Sequence, residues 1–190
     1  MLEINFDPFP ELYTQRLVLR SMKEADTELF FKLRSNVEVM KHIGKTPMTS
    51  SEEALEFIKR INDLIENNSG ITWAMAMKEQ PEVLIGTIGL WRIMKEHFRA
   101  EIGYMIQPVY WRQGLTKEAI LKVLDYGFNE LKLHSIEAHI TPLNTASAKI
   151  LESTGFVREA YFKEDFFFDG KFEDTAIYSL LSRNFTLKSL

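Results

Sequence analysis

The sequence predicts a mixed α/β fold, with a central sheet of about seven strands and helices on both faces. Three observations carry that expectation. The apolar period switches between strand-like and helical along the chain, in the order β α α β β β α β α β β. The stretch from Ala100 to Ile140 reads strand, helix, strand. Its two strands should therefore run parallel, with a ligand crevice at their carboxyl ends. Near the end, Asp169-Gly170 sits between two alternating aromatic arms, a hairpin signal. With 190 residues, 45% of them hydrophobic, residues 1–190 should form a single domain with a full core.

The elements follow in order. In "TQRLVLR", Leu17 and Leu19 alternate with Arg16 and Arg20, as a strand requires. "SMKEADTELFFKLR" carries a capping-box pattern at Ser21 and Glu24, and Ala25, Leu29 and Leu33 should line one helix face. A second helix runs through "TSSEEALEFIKRINDLIENN", with Leu55, Ile58, Ile61 and Ile65 as its stripe and "NNSG" as its stop. "ITWAMAMK" sets Trp73, Met75 and Met77 against alanines. "VLIGTIGLWRI" and "AEIGYMI" complete an antiparallel meander. In the next helix, Ile120, Val123, Leu124, Gly127, Phe128 and Leu131 trace an apolar face. "HSIEAHI" is a strand, and "NTASAKILESTGF" a helix closed by Gly155.

Composition removes several function classes. There is no cysteine, hence no disulfide, thiolate metal site or cysteine nucleophile. A net charge of −4 argues against a nucleic-acid partner. No apolar run approaches the ~20 residues of a membrane span. The opening "MLEINFDPFPELY" has the acids and prolines that a secretory signal lacks. The expectation is a soluble, cytoplasmic protein with no membrane partner. His134 and His139 flank "SIEA" without forming a metal-binding pair, so no metal is expected.

One stretch raises a chemical question. "VYWRQGLTKEA" opens a helix directly after the strand that ends before Pro108, with Gly114 at its mouth. The unpaired N–H groups of a helix start suit an anion. Gly114 could equally just ease a tight strand-to-helix turn. Asn144 likewise reads as an N-cap.

Four pieces, in order, resemble the GNAT superfamily of N-acetyltransferases: "TQRLVLR", "AEIGYMIQPVYWRQGLTKEA", "NTASAKILESTGF" and "FFFDGKFEDTAIYSLL". Together they span roughly Leu12 to Arg183, and they are most similar to the RimJ/RimL branch of ribosomal-protein alanine acetyltransferases. The resemblance implies the GNAT acyl-CoA N-acyltransferase fold and acetyl-CoA as donor. It places the coenzyme pyrophosphate on the amides of Gln113, Gly114, Leu115 and Thr116, with Arg112 adding a charge-assisted contact. Trp111 and Thr116 depart from the family's usual Gln/Arg and Gly/Ala. The resemblance also implies that the pantetheine arm pairs with the strand at Tyr104, Met105 and Ile106, and contacts Asn144.

The acceptor amine must lose a proton before it attacks the thioester. An α-amine is roughly a tenth neutral at pH 7, a lysine-type amine far less. Glu101 stands where some family members carry a glutamate base, although a salt-bridged glutamate is an equal reading. Leu151 stands where many members carry the tyrosine that protonates the thiolate. That leaves Ser147, as a hydrogen-bond donor, or solvent. Most of Trp73, Trp91, Tyr104, Tyr110 and Trp111 are expected in the core. "HIGKTPM" (residues 42–48) is expected at the substrate rim. The implied acceptor is a primary amine, either a protein N-terminus or a small polyamine, amino acid or drug. A non-catalytic acyl-CoA-binding module is the alternative. A monomer or homodimer fits either.

Overall fold

The structure is a computed structural model that describes residues 1–186. Its elements are β1 (Leu12–Tyr13), β2 (Leu17–Arg20), α1 (Thr27–Ser35), α2 (Val37–Met40), α3 (Ser51–Glu66), β3 (Ile71–Met77), β4 (Gly86–Met94), β5 (Arg99–Ile106), α4 (Leu115–Asp125), β6 (Ser135–Ile140), α5 (Thr145–Ser153), β7 (Val157–Phe168) and β8 (Lys171–Leu181). All eight strands join one sheet in the order β1-β2-β3-β4-β5-β6-β8-β7. Every neighbouring pair is antiparallel except β5 and β6, which run parallel as the strand–helix–strand pattern requires. The strand beyond the expected seven is β1, whose two residues are too few to show an alternation. Phe168 pairs with Lys171 across Asp169-Gly170, both of positive φ, so the expected tight hairpin is present.

The sheet separates two apolar layers. Trp73, Met75, Ile88, Leu90 and Ile102 pack with Ile120, Val123 and Leu124 of α4. On the other face, Ala74 packs with Phe30 and Leu33 of α1 and with Ala54, Ile58 and Ile61 of α3. The alternation in β3 is thus large toward α4 and small toward α1 and α3, and both sides are buried.

Helix α1 differs from the expectation. It is preceded by a 3₁₀ turn, Glu24–Asp26; Ala25 is exposed, while Phe30, Leu33 and Arg34 are buried. Ser21 is not the cap. Asp26 accepts the Lys23 N–H at 2.8 Å and holds the Arg20 guanidinium through two bonds of 2.8 Å. Burying this ion pair rotates the apolar face away from the one that hydrophobicity alone suggests.

A second buried carboxylate fastens α4 to the start of the sheet. Glu118 accepts from Thr14 Oγ1 at 2.5 Å, from the Arg16 amide at 2.8 Å and from Arg16 Nε at 2.8 Å. Burial pushes its carboxyl up, but Thr14, the Arg16 amide and the Arg16 side chain outweigh that and hold it below the usual range. A depressed carboxyl adds stability above its unfolded value and loses it as pH falls through the folded one. Glu118→Gln is therefore expected to cost about 2 kcal/mol at pH 7. The gap from wild type should narrow below about pH 4, as read from urea midpoints at both pH values.

Candidate functional site

The site begins where the sheet comes apart. The parallel ladder of β5 and β6 holds only Arg99↔Ser135, Ala100↔Ile136 and Glu101↔Glu137. Beyond Glu101, β5 continues to Ile106 on β4 alone. Gln107 N–H bonds Ile85 O at 2.9 Å, which fixes the phase of the antiparallel ladder. Alternation then turns the main-chain groups of Tyr104 away from β4, toward the gap. Ile106 shows the same phase, since its carbonyl accepts from Trp111 Nε1 at 3.0 Å.

A cavity of about 750 Å³ occupies the opening. Its walls include Glu101, Gly103, Tyr104 and Met105 of β5, Ala138–Ile140 of β6, Asn144 and Ser147 of α5, and Arg34 and Phe57 of α1 and α3. The expected rim contributes His42, Ile43, Gly44 and Lys45. Trp91 and Tyr104 also line the cavity, a correction to their expected place in the core; Trp73 does lie there. Gly103 permits the Trp91 position, because a Cβ on it would collide with the indole ring.

Glu101, 7% exposed, ends the paired segment. It stands opposite Trp91, where β4 bulges between Trp91 and Met94. At the bulge Arg92 takes a positive φ and places Nη1 2.8 Å from Glu101 Oε2. Glu101 lines the cavity and carries an ion pair, so the salt bridge that the sequence allowed is present, on a buried carboxylate. Glu137 pairs with Arg99. His139 Nε2 lies 3.4 Å from Glu137 Oε1, out of line for a hydrogen bond, and is buried without a partner among the described residues. Ligand atoms of Glu101, Glu137 and His139 lie within 4.8 Å of one another. An arginine already compensates each carboxylate, so the group forms a charge network across the last rungs of the ladder.

On the α5 side, the Tyr104 hydroxyl and Ser147 Oγ are 2.7 Å apart. Burial pushes the Tyr104 phenol up to about 12, opposed by the Ser147 hydrogen bond. Leu151, at the position usual for tyrosine, is fully buried in the core. Tyr104 was expected to contribute only its backbone; its phenol is the group that sequence reasoning missed. Asn144 Oδ1 accepts the Ser147 N–H at 3.0 Å, the bond of an N-cap, and Asn144 also lines the cavity.

The helix mouth lies apart from this cavity: no residue from Gln107 to Thr116 lines it. Gly114 adopts φ +78°, left-handed, and caps α4 without a side chain. A Cβ there would meet only Arg16 Nη2, at 3.6 Å. Glycine is thus needed for the backbone angle and leaves the approach to the amides of Leu115 and Thr116 open. Arg112, also of positive φ, precedes it. Arg16 donates to Gln113 O at 2.9 Å, adding a fixed cation beside this helix start that the sequence did not single out.

The family model described as an acetyltransferase (GNAT) domain matches residues 16–157. The chain is 39% identical over 173 residues to the uncharacterised N-acetyltransferase YoaA of Bacillus subtilis, covering 91% of this chain and 97% of that one. It is 24% identical over 187 residues to the ribosomal protein uS5 alanine N-acetyltransferase of Escherichia coli, covering 94% of each. The structure of the Vibrio cholerae spermidine N-acetyltransferase with CoA and spermine superposes with a TM-score of 0.78 at 27% identity, over 88% of this chain and 96% of that one.

The cap predicts a separable effect. Asn144→Ala is expected to lower stability by about 1 kcal/mol, whereas Asn144→Asp keeps an acceptor at the cap and loses at most a few tenths. Chemical denaturation of the two variants checks this.

Proposed function

Since the chain belongs to the GNAT acetyltransferase family and is an acetyl-CoA-dependent N-acetyltransferase, we propose that it transfers acetyl directly to a primary amine held in the cavity beside Glu101. The acceptor is an α-amine, of a protein N-terminus or of a small molecule. The observation that carries the reading is the parting of β5 from β6 immediately beyond a buried carboxylate. The gap offers unpaired strand backbone to an extended thioester arm, and the carboxylate stands at its vertex. The donor reaction supports a cytoplasmic site of action, and the continuous eight-stranded sheet supports one catalytic unit across residues 1–190.

In this reading acetyl-CoA lies along Tyr104–Ile106 with its pyrophosphate on the amides of Gln113, Gly114, Leu115 and Thr116. The positive end of α4, Arg112 and Arg16 supply complementary charge. Asn144 offers its amide N–H₂ to the pantetheine while its oxygen caps α5. A main-chain N–H at Tyr104 polarises the thioester carbonyl. Glu101 takes the proton from the acceptor ammonium, directly or through one water, and the neutral nitrogen attacks the carbonyl carbon. As the C–S bond breaks, the nitrogen of the new C–N bond releases its second proton, which reaches the departing thiolate through solvent. The Tyr104 phenol, held by Ser147, gives the departing thiolate a hydrogen bond and keeps its own proton. With its phenol pushed up to about 12, Tyr104 keeps its proton throughout the physiological range.

Glu101→Gln preserves shape and removes the base. A loss of 10²–10⁴-fold in maximal rate is expected at pH 7. The loss should shrink as pH rises, because the amine then arrives neutral, and it should be smaller for an α-amine than for a lysine-like amine. Parallel pH–rate profiles of nearly equal height would remove Glu101 from the chemistry.

Tyr104→Phe tests the hydrogen bond to the thiolate. The expected loss in maximal rate is about 10- to 100-fold, with the KM for acetyl-CoA little changed. Ser147→Ala should lose less, because it removes the holder and keeps the donor. A larger loss for Ser147→Ala would assign the donation to the serine instead.

A further inference from the structure

The cavity contains one buried charge that the reaction as described does not use. Arg34, on α1, is 9% exposed and lines the cavity. Its guanidinium carbon lies 4.5 Å from the centroid of the Phe57 ring and 5.8 Å from that of Phe30. Its Nε is buried with no hydrogen-bond partner among the described residues. No carboxylate of the described residues forms an ion pair with it. The charged neighbour it feels is Arg60, of like sign; burial first, and Arg60 second, push its pKa down.

Arg20 provides the internal comparison. It is 4% exposed, and Asp26 holds its guanidinium through two bonds. Carbonyls of Pro81, Ser21 and Glu82 complete its shell. Where this chain buries an arginine for structure, it supplies the acceptors. At Arg34 it supplies two phenyl faces, which leave the in-plane N–H donors unused. A guanidinium whose Nε has lost water without gaining an acceptor, on a residue that lines an open cavity, suits an oxyanion brought by a ligand.

The position identifies which ligand. Arg34 reaches the cavity from α1, whereas the helix mouth proposed for the pyrophosphate does not line it. The anion therefore belongs to the acceptor. Glu101 also lines the cavity, and β7 and β8 add Asp165, Glu173 and Asp174. Glu173 is paired with Lys171 at 2.9 Å, and Asp174 accepts from Tyr161 and from the Glu164 amide. Of the charges that line the cavity, Arg34 stands on α1 and Glu101 on β5 at the vertex of the strands.

We propose that Arg34 binds a carboxylate of the acceptor, so that the substrate class is an amine that also carries a carboxylate, an amino acid or a short peptide. The inference rests on the acetyltransferase reading above. The ammonium faces Glu101 and the carboxylate meets the fork of Arg34, so a zwitterion is matched at both ends. A polyamine brings a second cation toward the arginine and is disfavoured.

The test compares each amine with its own neutral cap. Acetyl transfer is measured with alanine, glutamate and alanylglycine, each beside its carboxamide, and with spermidine. Wild type is expected to prefer at least one carboxylate over its carboxamide by about 10- to 100-fold in kcat/KM. Most of that preference should lie in KM. Arg34→Met should abolish the preference while the KM for acetyl-CoA and the rate with the carboxamide stay near wild type. Arg34→Lys should restore part of it. The ratio in wild type stands even if Arg34→Met does not fold. Preference for alanylglycine over the free amino acids assigns the peptide, and the reverse assigns the amino acid. Equal use of carboxylate and carboxamide, preference for spermidine, or an unchanged ratio in Arg34→Met overturns the inference but leaves the acetyltransferase reading intact. Transfer to no amine at all overturns both.

Discussion

The parallel ladder between β5 and β6 lasts three residues, and the site is arranged around the point where it stops. A buried strand whose backbone loses its partner leaves polar groups that something must satisfy. In this chain β4 supports β5 on one side along its full length, while the other side opens beyond Glu101. The sheet is covered around the gap. Helices α1 and α3 cover one face of the sheet, α4 the other, and β8 continues the sheet beyond β6. The proposed function has a strand-like ligand complete the hydrogen bonding that the fold leaves incomplete.

The charges follow the same logic. Glu101 is buried and answered by Arg92 from a bulge, Glu137 by Arg99, Glu118 by Arg16 and Asp26 by Arg20. Each pair tethers two segments that are distant in the fold or change direction sharply. Glu118 and Arg16 join the first turn of α4 to the start of β2, which fixes the helix mouth against the sheet. Arg34 is the buried arginine outside this scheme, and it faces the cavity.

Tyr104 presents its side chain and its backbone to different surroundings. Strand alternation sends its side chain toward α5, where Ser147 meets it at 2.7 Å. Its backbone meanwhile faces the gap. Leu151 is then free to pack in the core, and the phenol reaches the cavity from β5 instead of α5. A hydroxyl pair assembled from a strand and a helix has no signature in the spacing of either.

The sequence by itself determined what depends on neighbours a few residues apart. Alternation in "ITWAMAMK", the stripe of Ile120, Val123 and Leu124, Asp169-Gly170 and the cap Asn144 each express local geometry, and each is found where the pattern places it; beyond Asp125 the helix widens into a π turn, Tyr126–Glu130. The parallel pair follows from the strand–helix–strand order for the same reason, since a crossover of that kind has one favoured hand. Local pattern failed at Ala25, where the expected apolar face gave way to the buried pair of Asp26 and Arg20. It also could not place Arg34, whose helix position is compatible with solvent or core. Only the tertiary structure decided that Arg34 lies between two rings without an acceptor, that Arg92 reaches Glu101, and that Tyr104 meets Ser147. The partners in these three contacts come from different elements, and the physical reason is burial: which polar groups lose water is set by how the elements pack, a property that no single stretch of chain contains.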